Sequence, residues 1–291
     1  MVPPLSRRIL FALATSDRFE RAVRAVPGGT WAAWRVADPY VAGETTEDAL
    51  GRARELARLN LSASLDLFGE RVTDPTVADA VAEAYRRLAD RLAEAPPGTW
   101  LSVDLSHLGL TGDAGAARRR LASIAERLPD GARLQVGAEE AAVADAVLGA
   151  VHSVPAPHRL TATIQANLRR SPGDVPRLAE AGIGVRLVKG AYLEAPGEAF
   201  PFGEATDLAY LRLAEQLAEL EADVQLATHD GLLREACRWV LPRAAVEMLL
   251  GVRGAEARAL AAAGVPVRLY VPFGPEWFRY GMRRLAEARG K

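Results

Sequence analysis

Eight short β-like runs recur along this sequence, separated by alanine-rich stretches in which apolar residues return every three or four positions. The runs are Leu61–Leu67, Trp100–Leu105, Ala132–Val136, Leu160–Gln165, Gly184–Lys189, Asp223–Thr228, Ala244–Leu249 and Val265–Tyr270. They follow one another at roughly 20 to 40 residues, with helical patterns between them, as over Val77–Ala93 and Asp207–Leu220. A strand, a helix and a further strand at that spacing require parallel pairing through right-handed crossovers. Eight such units predict an α/β fold, a (βα)8 TIM-type barrel, with the doubly wound sheet as runner-up.

Composition agrees with one large domain. Of 291 residues, 49% are hydrophobic, enough for an extensive core, which excludes an intrinsically disordered chain. Basic and acidic residues number 36 and 37, a net charge of −1, so the basic excess of a nucleic-acid binder is missing. Cys237 is the only cysteine, excluding internal disulfides and cysteine-rich metal sites. His107, His152, His158 and His229 are scattered, with no i, i+4 pair to grip a metal on a helix, so no metal is expected.

Residues 1–39 read as an N-terminal helical extension and residues 40–291 as the barrel with a closing helix. The apolar run Ile9–Ala14, behind Arg7 and Arg8, is too short for a signal-peptide core or a membrane span and reads as an amphipathic helix. No later segment is apolar for long enough to cross a bilayer. The expected location is the cytoplasm, with peripheral attachment at the inner membrane face left open. Thr45-Thr-Glu-Asp48 reads as a capping box opening the helix before the first strand. Pro96-Pro-Gly98 is a turn within the domain.

In such a barrel the active site lies at the C-terminal ends of the strands. That rule selects Asp66 with Glu70, Asp104, Glu139 with Glu140, Gln165, Arg186 with Lys189, Thr228 with His229, and Tyr270. Glycosidase chemistry would use two of the carboxylates, and aldolase-type chemistry would use Lys189 as a Schiff base with a lowered pKa. Isolated polar residues at strand ends also serve as ordinary caps. Gly109-Leu-Thr-Gly112-Asp-Ala-Gly115 has the wrong spacing for a dinucleotide-binding glycine loop, so a nucleotide would have to be held by the barrel itself. On the last helix Tyr280 precedes Arg283 and Arg284 by three and four residues, so its ring can sit beside both. Their long side chains can converge on one small anion such as a carboxylate; a solvated basic face near a helix C-terminus is the plainer alternative.

Several stretches together resemble the FAD-dependent proline dehydrogenases, in particular the short monofunctional bacterial type. They are Tyr40-Val-Ala-Gly-Glu-Thr45, Ser64-Leu-Asp-Leu-Phe-Gly-Glu70, Arg186-Leu-Val-Lys-Gly-Ala-Tyr192, Ala227-Thr-His-Asp230 and Tyr270 to Glu287, in order over about five-sixths of the chain. The family fold is a (βα)8 barrel. The resemblance implies that Arg283 and Arg284 hold a substrate carboxylate, that Glu70 closes the site by pairing with Arg283, and that Tyr270, Tyr280 and Leu249 line a proline pocket. It also implies that Arg186 sits beside flavin N5, with Gln165, Val188, Lys189, Gly190, Ala191, Thr228 and His229 holding the rest of FAD. Arg186, Tyr270 and Glu70 are thus the expected catalytic residues. The implied reaction is hydride transfer from proline to FAD, giving Δ1-pyrroline-5-carboxylate. A quinone would accept the electrons, and a pyrroline-5-carboxylate dehydrogenase would be a partner.

The sequence also departs from that family. Asp104 stands where a lysine usually adds a third positive contact to the carboxylate, and Gly137 stands where an aspartate is usual. Leu193 replaces an aromatic seen in some members, Asn167 stands where an aromatic is common, and Glu247 where glutamine is common. A lysine–aspartate pair sums to zero, whereas Asp104 opposite Gly137 leaves −1. At an effective dielectric near 20, unit charges about 4 Å apart interact by about 4 kcal/mol, so the reversal would weaken carboxylate binding. The alternatives are a relative acting on another cyclic or secondary amine, a catalytically impaired relative, and, third, a Schiff-base lyase using Lys189.

Overall fold

The computed structural model describes residues 16–288, so the helix expected over Ile9–Ala14 lies outside the described residues. Strands β1 (Ser62–Leu67), β2 (Trp100–Val103), β3 (Leu134–Val136), β4 (Leu160–Gln165), β5 (Gly184–Val188), β6 (Val224–Ala227), β7 (Ala245–Leu249) and β8 (Val267–Phe273) form a closed barrel in chain order. Every neighbouring pair is parallel, and β8 closes on β1 from Ser62 opposite Arg268 to Leu67 opposite Phe273. That closure carries β8 three residues beyond the Tyr270 end read from the sequence, because β1 supplies a ladder that local propensity around Pro272 does not announce. Conversely β2 stops at Val103, since the chain turns immediately and His107 N–H donates to Asp104 O at 3.0 Å.

The helices are α1 (Asp17–Ala25), α2 (Gly29–Ala37), α3 (Thr46–Ala57), α4 (Pro75–Arg91), α5 (Ala114–Ala125) and α6 (Ala144–His152). They continue as α7 (Ser171–Glu180), α8 (Glu204–Glu219), α9 (Gly231–Val240), α10 (Gly254–Ala262) and α11 (Trp277–Ala288). The capping box at α3 is present: Asp48 N–H donates to Thr45 Oγ1 at 3.2 Å, and Thr45 N–H donates to Asp48 Oδ2 at 2.9 Å. Asp74, Asp113 and Asp230 cap α4, α5 and α9 in the same sense, each accepting from the first turn of its helix.

Alternate residues of each strand separate by polarity. Leu65, Leu101, Val103, Leu134, Val136, Val185, Leu187, Leu226 and Val246 belong to one buried cluster with Leu50, Leu88, Leu121, Leu178 and Leu217 of the surrounding helices. The other parity is largely polar: Ser64, Asp66, Ser102, Gln135, Thr161, Thr163, Gln165, Gln225, Glu247 and Arg268 are all buried. Successive strand residues face opposite sides of a sheet, so the apolar parity makes the core beneath the helices and the polar parity fills the barrel. Hydrogen bonds between strands that are not neighbours, such as Gln135 on β3 with Glu247 on β7 at 2.8 Å, cross that interior.

A second apolar cluster joins α11 to the helices before the barrel. Ala37, Val41, Phe68, Trp277, Phe278 and Tyr280 are its buried members, with Phe19, Val23, Ala33 and Trp34 packed against them. Trp34 meets Trp277 edge-on at 4.8 Å between centroids, and Trp277 Nε1 donates to Glu44 Oε1 at 2.6 Å. α11 is thereby fixed from outside, leaving its other face to close the barrel mouth. Among the described residues, no helix is long and apolar enough to cross a membrane.

Candidate active site

A cavity of about 410 Å³ opens where the strands end and α11 crosses. Its floor is polar. Arg186 projects from β5, and its Nε donates to Glu247 Oε2 of β7 at 2.7 Å. The same carboxylate oxygen accepts from Gln135 Nε2, and the other lies 3.5 Å from Arg268 of β8. Arg186 and Tyr270 lie inside their strands, whereas the residues beyond the strand ends form the rim.

The walls come from seven strands and the loops that follow them. Asp104 follows β2 and Gly137 follows β3; Gln165 ends β4, and Val188 leads into Lys189, Gly190 and Ala191. Thr228 and His229 follow β6, Leu249 ends β7, and Tyr270 stands on β8. Gln165 is held at both ends of its amide: Nε2 donates to Glu139 O at 2.9 Å, and Oε1 accepts from Ala191 N–H at 3.4 Å. His229 Nε2 accepts from Leu249 N–H at 3.2 Å, tying the β6 and β7 loops together. Thr163 Oγ1 faces the cavity, buried and without a hydrogen-bond partner among the described residues.

α11 supplies the roof through Tyr280 and Arg284. Tyr270 and Tyr280 pack against each other, 5.9 Å between ring centroids, and form one aromatic wall above the floor. The expectation that Tyr280 sits beside both arginines needs correcting. The Arg284 guanidinium lies 5.2 Å from the Tyr280 ring, but that of Arg283 lies over Phe68, also at 5.2 Å. Adjacent helical residues diverge by about 100°, which separates the two. Arg283 reaches Glu70, in the loop after β1, at 3.5 Å, and neither of these residues lines the cavity. Arg71 in the same loop pairs with Glu140 at 2.9 Å, so the loop is held at two points.

Asp104 and Gly137, two separate departures in the sequence, form one structural unit. A Cβ built on Gly137 would overlap Asp104 Oδ1. The Asp104 carboxyl occupies the place of a side chain at 137, which is why glycine is there. Burial pushes its pKa well above the usual carboxylate range, reinforced by the charges of Asp66, Glu139 and Glu70 and opposed by Arg186. Burial likewise raises Asp66 to about 7, against the hydroxyls of Ser102 and Tyr270 and the Arg186 charge, which pull it down.

The other chemistries read from the strand ends are not supported by this geometry. Glu139 accepts from Ser106 N–H at 2.7 Å, Glu140 pairs with Arg71, and neither faces the cavity as a glycosidase pair would. Lys189 lies 2.6 Å from Asp207 and 2.9 Å from Asp230. Burial lowers its pKa, but the hydrogen bonds to these aspartates outweigh it and leave it above the usual value, the wrong direction for a Schiff-base nucleophile. A second cleft of about 470 Å³ continues from Lys189, Thr228 and His229 to the N-terminus of α9 at Asp230 and Gly231, and to Arg253.

The sequence was compared with known proteins. A family model described as proline dehydrogenase matches residues 49–291. The chain belongs to the proline dehydrogenase family. Members of that family are oxidoreductases acting on a CH–NH donor. The proline dehydrogenase of Deinococcus radiodurans is 29% identical over 308 residues, covering 99% of this chain and 95% of that one. Proline dehydrogenase 1 of Bacillus subtilis strain 168 is 29% identical over 259 residues, 85% of each chain. Among solved structures, proline utilization A from Bdellovibrio bacteriovorus, inactivated by N-propargylglycine, superposes with a TM-score of 0.80 at 21% identity over 97% of this chain. This chain spans only 36% of that protein, and the likeness establishes the barrel fold. The family's fold therefore agrees with the eight-unit barrel expected from the strand spacing.

Some residues of the cavity and of the bonded group beneath it are invisible to a rule about strand ends. Glu247 and Arg268 lie within their strands, and Gln135 ends none of its neighbours' ladders; they meet only because three strands converge across the barrel. The available signal was parity: strands of a parallel barrel usually read as nearly continuous apolar runs, and polar residues at every second position mark an interior built for something other than packing. Arg253 was missed because no motif surrounds it.

Proposed function

We propose that this chain oxidises L-proline to Δ1-pyrroline-5-carboxylate with FAD as the cofactor, residues 40–291 forming the catalytic barrel and 1–39 its helical extension. The observation that carries the reading is the cavity itself, lined by Arg284 from the roof, Arg186 from the floor and the packed Tyr270–Tyr280 pair. A small amino acid fits that arrangement: its carboxylate at the helix cation, its ring against the aromatic wall, its reacting carbon toward the floor.

The donor set fits an anionic dinucleotide. The second cleft places Lys189 and Arg253 beside the N-terminal end of α9, where a phosphate would compete with the Asp230 carboxylate that now accepts from Leu233 N–H and pairs with Lys189. Gln165, Val188, Gly190 and Ala191 line the first cavity, Thr228 and His229 line both clefts, and the unpaired Thr163 hydroxyl is available to a ring heteroatom. FAD supplies the hydride acceptor at its N5. Arg186 places a fixed charge where negative charge would develop, which needs no reorganisation at the moment of reaction. Arg284 would hold the carboxylate, Arg283 would join it only by turning inward from its contact with Glu70 outside the cavity, and Tyr270, Tyr280 and Leu249 would orient the ring carbon and exclude water. A quinone would accept the electrons, and a pyrroline-5-carboxylate dehydrogenase would take up the product.

A second reading is carried by Asp104. Its carboxyl on the cavity wall is acidic where the family places a lysine, which favours a different cyclic or secondary amine as substrate. One experiment separates the readings. The purified protein should be yellow and should bleach anaerobically on addition of L-proline. A yellow protein that bleaches with another cyclic amine but not with proline supports the second reading, and a colourless protein that cannot be reconstituted with FAD overturns both.

A further inference from the structure

The bonds around Glu247 point to a control on the cofactor that lies outside substrate binding. Its side chain is 1% exposed, and the carboxylate stands between two arginines: Arg186 at 2.7 Å and Arg268 at 3.5 Å. Gln135 donates to the oxygen that Arg186 uses. Arg268 is itself buried, lying against the Trp100 ring at 3.3 Å and donating to Gly98 O at 3.2 Å, so it is fixed beneath the site rather than free to reach the cavity. Two cations and one anion thus share a water-poor interior, with a net charge of +1. Of the two arginines, only Arg186 lines the cavity.

We propose that Glu247 is a positioning residue that sets the reduction potential of the bound flavin, by fixing Arg186 through its Nε and offsetting part of the charge this arginine presents to the cavity. The inference rests on the flavin reading given above. Electrostatic interactions in a low-dielectric interior are strong, and removing the carboxylate charge leaves two arginines uncompensated. A flavin near Arg186 then gains electrons more readily. Arg268 acts in the opposite sense, because it draws Glu247 away from full neutralisation of Arg186.

The signs of three variants test this, read as the midpoint potential of the reconstituted holoprotein by dye-coupled reductive titration. Glu247→Gln retains a carbonyl that can accept from Arg186 but removes the charge, and should shift the potential positive. The expected change is at least tenfold in the reduction equilibrium, about 30 mV for a two-electron couple. Arg268→Met should shift it negative, and the double variant, which restores the net charge of +1, should return toward the wild-type value. A merely structural role for Glu247 predicts no such opposed signs. If Glu247→Gln binds flavin but keeps the wild-type potential or moves negative, the proposal is wrong. If Glu247→Gln does not fold, a positive or null shift in Arg268→Met overturns it equally. Failure of the wild-type chain to bind any flavin would instead overturn the reading on which the proposal rests.

Discussion

At the scale of single residues, the departures from the family pattern behave as coupled substitutions rather than as independent losses. Since a Cβ at 137 would overlap Asp104 Oδ1, Gly137→Ala should destabilise the fold by about 1–3 kcal/mol through overpacking. Adding Asp104→Gly should recover most of that loss, and a double-mutant cycle by urea denaturation measures the coupling. Asp66 gives a pH-dependent test. Its pKa rises from 3.8 to about 7 on folding, so the native state holds more protons than the unfolded chain across that interval. The contribution of this group to stability is present below pH 4 and is lost as pH climbs toward 7. Asp66→Asn should therefore stabilise the protein at pH 8, by up to about 4 kcal/mol, and do little at pH 4; thermal melts at the two pH values check the difference. The Glu70–Arg283 pair is a milder case. With side chains 44% and 20% exposed, it is worth about 1 kcal/mol or less, so Glu70→Gln should raise KM for proline by no more than about fivefold. Asp104 was legible from the sequence as a charge, but its fit against Gly137 was not, because residues 33 positions apart meet only once β2 and β3 are paired.

At the scale of elements, α11 is where sequence and structure inform each other most. Its existence, its tyrosine and its two arginines were legible from the motif, and its dependence on α2 was not, because periodicity reveals an apolar face without revealing what covers it. Trp277 is the hinge of that dependence, 1% exposed, stacked edge-on with Trp34 and bonded to Glu44. Trp277→Ala should cost about 3–5 kcal/mol of stability. It should also raise KM for proline more than it lowers kcat, since Tyr280 and Arg284 ride on the same helix while Arg186 does not. Denaturation together with steady-state kinetics separates the two effects. The strands show the complementary limit. Their number and order followed from spacing, whereas the end of β8 was set by its ladder with β1, a long-range partner invisible to local propensity.

At the scale of the molecule, a barrel with an apolar outer parity and a polar interior explains how one chain obtains both a stable core and a chemically active floor. Burial against the helices supplies the core, which frees the interior to carry Arg186, Glu247, Gln135 and Arg268 as one bonded group. The strand-end rule found the rim of the site but not this floor, whose members sit mid-strand. On the proposed function, the cavity lined by Arg186 and Arg284 holds L-proline with its nitrogen-bearing ring carbon directed at a flavin. Anaerobic stopped-flow reduction of the holoprotein by L-proline, compared with L-proline deuterated at the ring carbon next to nitrogen, tests it most directly. Proline should bleach the flavin absorbance, and deuteration should slow this phase several-fold. A bound flavin that L-proline leaves oxidised, or one reduced at the same rate by both isotopologues, would contradict it.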